Sequence, residues 1–228
     1  MAHSSDSAGT HQARKRIPAS WYNVKCKKCS RLNDYLKATK HEFPDYSCKP
    51  VTPFGDVNAR LLIVGLAPGK HGANATGRPF TGDYAGVLLY QTLHKFGFAS
   101  KPESVASDDD LKLTNCRITN AVKCLPPENK PTTDEVDTCL KYLSAELNAL
   151  NNGLIISLGG IAHRAVLKVL KQKLSGFPFA HGAEFEIGGN TLLASYHCSR
   201  YNTQTHRLST VMFEDIFKRA RQILDGKD

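Results

Sequence analysis

No apolar run in this chain is long enough to cross a bilayer. The longest, LLIVGLA at 61–67 and LIISLGG at 154–160, fall far short of the roughly twenty residues a span needs. The first 17 residues, MAHSSDSAGTHQARKRI, place no apolar segment beside the basic cluster at 14–16, so no secretory signal is read there. The two loop signatures of nucleotide cofactors are also missing. Gly69-Lys70 is followed by His71 where a phosphate loop needs Ser or Thr, and GLAPG stands where a dinucleotide fold wants GxGxxG. Acid is scarce: 21 Asp and Glu face 30 Lys and Arg, a net charge of +9. That balance favours acidic partners, nucleic acid first. Seven cysteines, an odd count without a signal, do not make a secreted disulfide scaffold. The expectation is a cytoplasmic, nucleoid-associated monomer with no membrane and no nucleotide cofactor.

What is present has an α/β rhythm. Residues 1–19 read as a disordered basic tail, and 20–228 as one domain. Four short apolar segments predict strands: ARLLIVG at 59–65, CRITNAV at 116–122, GLIISLG at 153–159 and TLLASYH at 191–197. Helices are predicted between and after them, over 85–97, 132–150, 161–174 and 205–224. In the first, Val87, Tyr90, Leu93 and His94 are expected near one face. The second opens on Thr132 and Glu135, a capping-box spacing after Pro131. The last carries an apolar stripe of Leu208, Val211, Met212, Phe213, Ile216, Phe217 and Ala220. This alternation predicts a three-layer α/β/α sandwich around a mostly parallel four-stranded sheet. The polar stretch 99–113 is read as a surface excursion.

Ligands of open parallel sheets bind where strands end. Here the first strand delivers GLAPGKHGANATGRPFTGD, with five glycines and two prolines, ending on Asp83. The second delivers Asn120, the third Gly159-Gly160, and the fourth His197, Cys198 and Ser199. A glycine loop, an amide, an imidazole and a carboxylate converging on one crevice make a catalytic set. Phe80 in that loop either stacks on a planar ring or anchors the loop to the sheet. Asp83 is either catalytic or the N-cap of the helix that follows.

Cys26 and Cys29 form CKKC, and Cys124 and Cys139 bracket a proline-rich loop. Four soft thiolates suit zinc or an iron–sulfur cluster, and spacing alone favours zinc. Cys116 reads as a core residue. Cys48 has no assigned role.

Four ordered stretches carry a resemblance: GLAPG at 65–69, HGANATGRPFTGD at 71–83, TNAVKCLPPENKPT at 119–132 and HCSRYNTQTHRLS at 197–209. Over about residues 20–225 the chain resembles the iron–sulfur class of uracil-DNA glycosylases, most closely family 5. The resemblance implies a [4Fe-4S] cluster on Cys26, Cys29, Cys124 and Cys139, which replaces the zinc reading. It implies that Phe80 stacks on a flipped base, Asn120 reads the base edge and His197 assists the departing base. Gly65, Leu66, Ala67, Gly69, Ser199 and Arg200 would complete the substrate site. Family 4 enzymes carry an acid where this chain has Leu66, so the resemblance points to Asp83 for placing water or steadying the sugar cation. A carboxylate at that helix start is expected to stay ionised. The implied activity is hydrolysis of the glycosidic bond of uracil, and of other deaminated bases such as hypoxanthine, in DNA. A catalytically inactive nucleic-acid-binding module of the same fold is the alternative. One departure stands out: His197-Cys198-Ser199 replaces His-Pro-Ser, which is expected to loosen the turn that aims His197.

Overall fold

A computed structural model describes residues 16–226. Most of the tail predicted at 1–19 therefore lies outside the described residues. The first α-helix, α1 (Ser30–Glu42), leads to β1 (Phe54–Gly55) and β2 (Leu61–Gly65). The glycine-rich loop contains a single turn, α2 (Ala73–Thr76), before α3 (Tyr84–Lys95). Then come β3 (Cys116–Asn120), α4 (Thr133–Asn148), β4 (Leu154–Leu158) and α5 (Gly160–Val169). The chain ends with β5 (Glu184–Ile187), β6 (Asn190–Ser195), α6 (Arg200–Gln204) and α7 (Thr210–Asp225).

The sheet has six strands in the order β1-β3-β2-β4-β6-β5, not the four predicted. The four predicted strands form its parallel centre, and both additions are antiparallel edges. β1 is too short to announce itself by pattern. β5 and β6 form a hairpin across Gly188-Gly189, both with positive φ, the turn that a two-residue hairpin demands. Central strands are buried on both faces, so their sequences run apolar without alternation. Leu61 and Ile63 of β2 face α3 and α7, while Leu62 and Val64 face α4 and α5. That division makes the three layers.

Three helix readings change. The segment after CKKC, where no helix was predicted, is helical, with Leu32, Leu36 and Thr39 buried four and three residues apart along its inner face. The last helix starts at Thr210, because Ser209 accepts from the Met212 N–H and caps it. Val87 and Val211 point to solvent, at the margins of stripes whose centres are Leu89, Tyr90 and Leu93, and Phe213, Ile216 and Phe217. The capping box on α4 forms as the spacing requires, with Thr132 and Glu135 each bonding the other's backbone.

One polar group sits where apolar residues were expected. Arg117 of β3, fully buried, lies 4.0 Å over the Trp21 ring and donates to the carbonyls of Asp56, Val57 and Glu146. The Glu146 carboxylate pairs with Arg117 at 3.5 Å and with buried Lys123 at 2.7 Å, and accepts from Thr119. Such a charge is tolerated only because its partners come with it. It binds the amino-terminal turn, β3 and α4 together behind the Asn120 strand end.

Candidate active site

The parallel registers place the strand ends side by side. Gly65 of β2 is level with Asn120 of β3, and Leu158 of β4 with Ser195 of β6, two residues before His197. Above this rim lies a crevice of about 450 Å³. Leu66, Ala67, Gly69, Phe80, Asp83, Asn120, His197, Ser199 and Arg200 line it, as the sequence suggested. Gly65 does not. It sits beneath the crevice: a Cβ there would fall 2.7 Å from Phe80 Cζ and closer still to Asn120 Oδ1. Its missing side chain is the room those two side chains occupy.

Phe80 anchors the loop to the sheet, and it also lines the crevice. It is only 6 % exposed, wedged between Gly65 and α3, and its ring stacks on His197 at 5.7 Å between centroids. Its φ is +54°, a conformation few non-glycine residues adopt. Neighbours hold it there. Tyr90 donates to the Pro79 carbonyl at 2.8 Å, and the Thr81 hydroxyl bonds Ser104 at 2.7 Å. Arg78 pairs with Asp109 at 2.5 Å and donates to the Ser107 carbonyl. Burial pushes the Asp109 carboxyl up, but Arg78 and three backbone N–H groups outweigh it and hold the pKa down at about 2. The 99–113 excursion is thus a brace for the loop, which is fastened rather than free.

Asp83 caps α3 and also lines the crevice. Its Oδ1 accepts from the Gly86 N–H at 2.9 Å, while Oδ2 lies close against Gly69 and Gly72 of the glycine loop. Burial raises the carboxyl pKa against the N–H groups of Gly86 and Ala85 that pull it down. The helix start therefore does not dominate as expected, and the carboxylate is a better base than a solvated one. Burial alone pushes His197 down to about 4, so its imidazole is neutral near pH 7. The turn after it is firm despite the lost proline. Cys198 is fully buried with its thiol on the Ala85 carbonyl at 3.4 Å, and Asn202 donates to the His197 carbonyl at 2.8 Å. The Ser199 hydroxyl lines the crevice and caps α6.

Among the lining residues that the sequence did not single out are Lys70, His71, Tyr84 and Asn129. The first three lie in or beside the glycine loop. Asn129 follows the double proline, where positive φ at Glu128 and Asn129 turns the chain toward the crevice, a change no periodicity reports.

On the far side of β3, Cys26, Cys29, Cys124 and Cys139 line a single cavity with Leu32, Pro50, Val122 and Tyr142. They come from the amino-terminal segment, the end of β3 and α4. Among the described residues no group of three or more His, Cys, Asp or Glu closes on one metal-ion position. The thiols instead ring the cavity wall. Burial and the neighbouring thiols push Cys29 up, and push Cys124 to about 12. Cys48 is outside this ring, half-buried, with its sulfur accepting from Asn74 at 3.4 Å. Cys116 is a core residue.

A sequence model described as the uracil DNA glycosylase superfamily matches residues 52–221. The chain is 45 % identical over 205 residues to a type-5 uracil-DNA glycosylase of Thermus thermophilus, covering 87 % of this chain and 93 % of that protein. It is 40 % identical over 218 residues to a type-5 uracil-DNA glycosylase of Pyrobaculum aerophilum, covering 91 % and 96 %. A type-4 uracil-DNA glycosylase of Thermotoga maritima is 30 % identical over 169 residues, covering 72 % and 78 %. With most of its length matched at this identity, and with its strand ends gathered into one lined crevice, the chain belongs to the uracil DNA glycosylase superfamily.

Proposed function

We propose that this protein hydrolyses the N-glycosidic bond of uracil in DNA, the first step of base excision repair, and that its range extends to hypoxanthine. The observation that carries the reading is a pair of orphaned polar atoms. Asn120 Oδ1 and His197 Nδ1 are buried without a protein partner among the described residues, and both residues line the crevice beside the Phe80 ring. Buried polar atoms left bare imply a ligand that satisfies them. A flipped base would slide against Phe80, with its Watson–Crick edge on the Asn120 amide. The neutral His197 ring would donate to the base oxygen that gains charge as the bond breaks. Asp83, which lines the crevice, would hold the attacking water and favour positive charge on the sugar. A carboxylate lining the crevice also weighs against an inactive binding module, because the cap on α3 uses only its first oxygen.

The same reading places a [4Fe-4S] cluster on Cys26, Cys29, Cys124 and Cys139. Their place around one cavity and their all-sulfur donor set suit a multi-iron group. Bound, the cluster would supply a rigid cross-link from residues 26–29 to β3 and α4, away from the chemistry.

The test is single-turnover excision from uracil and hypoxanthine duplexes. Asp83→Ala should lower the rate by about tenfold to a thousandfold with DNA affinity nearly unchanged. Asn120→Ala should shift the ratio between the two bases. A wild-type protein inactive on both, with its iron in place, would overturn the proposal.

A further inference from the structure

A groove of about 480 Å³ lies beside the crevice and shares none of its lining residues. Its walls carry Lys25, Lys27, Lys37, Lys40, Lys49 and His41, and no Asp or Glu lines it. Its floor is apolar, from Leu36 and Pro50. Residues 24–50 hold seven Lys or Arg against three Asp or Glu, so this short segment supplies much of the net charge of +9. Lys25, Lys27 and Lys49 have no carboxylate partner among the described residues. Lys37 is tied only to Asp34, an exposed pair at 3.0 Å that an incoming anion can displace. Glu42 faces away from the groove, onto Lys70 at 2.9 Å.

The groove and the crevice are two sides of one wall, the 43–48 loop. Lys40 donates to the Tyr46 carbonyl at 2.5 Å, and the Tyr46 hydroxyl bonds His71 Nδ1 at 2.9 Å. His71 lines the crevice. On the same wall, the N–H of Cys48, a groove residue, donates to the carbonyl of Asn74 in α2. A strand leaving the crevice past His71 meets the lysines next.

We propose that this groove binds the phosphate backbone of the DNA strand flanking the extruded base, lengthening the footprint to one side of the lesion. The inference rests on the glycosylase reading for its choice of polyanion. Lysine is a point charge without the fork that reads base edges, so the groove would grip any sequence alike. It would hold the enzyme on undamaged DNA and leave recognition to the crevice.

The experiment combines Lys37→Gln, Lys40→Gln and Lys49→Gln, with Lys37→Arg, Lys40→Arg and Lys49→Arg as the charge-preserving partner. Binding is measured against salt on uracil duplexes of about 10 and about 30 base pairs. The glutamine variant should bind the long duplex about tenfold more weakly, and its salt slope should flatten by about 0.9 for each lost contact. On the short duplex it should match wild type, and the arginine variant should match wild type on both. Equal binding on the long duplex, or equal loss on both lengths, would overturn the groove assignment. So would an unchanged DNA isotherm with loss of binding to a poly-glutamate peptide, which would make the occupant an acidic protein. Absence of excision by wild type would count against the glycosylase reading alone, because the length and salt dependence of binding are read without it.

Discussion

Consider Gly65→Ala, the smallest change that reaches the crevice floor. The added methyl would lie 2.7 and 2.8 Å from two atoms of the Phe80 ring, and nearer still to the Asn120 amide oxygen. Carbon atoms prefer about 3.5–4.0 Å, so each neighbour must retreat by about 1 Å. Neither has easy room. Phe80 lies against His197 and in the buried cluster that holds Leu88 and Leu89 of α3, and Asn120 is 3 % exposed at the end of a central strand. Overpacking of this kind costs about 1–3 kcal/mol in stability. A shift of about 1 Å in groups that position a substrate can cost about a hundredfold in rate. The expected outcome is a single-turnover rate on uracil duplexes reduced about tenfold to a hundredfold. Duplex affinity should hold, since phosphates dominate it. Urea melting measures the stability loss. Gly176→Ala, where a Cβ meets nothing within 4 Å, is the control for an added methyl. A folded Gly65→Ala protein that excises at the wild-type rate would refute the assignment of Phe80 and Asn120 to base recognition.

Asp109→Ala should destabilise the fold by about 3 kcal/mol in urea titrations, because it strands the buried Arg78 guanidinium. It should also weaken uracil excision, because Phe80 loses its brace. His197, depressed to about 4 from an ordinary value of 6.5, binds fewer protons folded than unfolded between those pH values. Stability should therefore fall as pH drops through that window, by at most about 3 kcal/mol, and His197→Gln should flatten the slope. His163 and His181, also lowered by burial, should leave a remainder. Cys139→Ser should abolish iron retention of about four atoms per chain and the absorbance near 400 nm, read by metal analysis and spectroscopy on anaerobically purified protein.

The strand ends were legible because burial on both faces leaves unmistakable apolar runs, and because Asn120 and His197 are the polar residues that close two of them. Asp83 was legible for the same reason that it is ambiguous: a carboxylate before a helix announces a cap, and only the fold adds the crevice. The edges were not legible. Two residues of β1 carry no period, and the Gly188-Gly189 turn was a signal left unused. Helix α1 was hidden by its polar face, since only Leu32, Leu36 and Thr39 are buried among thirteen residues. The brace on Phe80 depends on Arg78 meeting Asp109, thirty-one positions away, through turns that no pattern encodes.

The order of the strands also sets a scale. Asn120 ends β3 and His197 lies two residues past the end of β6, strands three steps apart in the sheet with β2 and β4 between them. Neighbouring strands are about 4.8 Å apart, so the two strands are separated by roughly 14 Å. Hydrogen bonds fix that pitch, and no substitution changes it. The sheet is a ruler with coarse divisions, and Phe80, lying flat against His197, is the shim that brings the gap down to one planar ring. On the proposed function, fitting a different base would be a matter of trimming lining side chains such as Leu66, Tyr84 and Asn129. Widening the gap itself would take a strand inserted or removed, a change the surrounding fold would not survive.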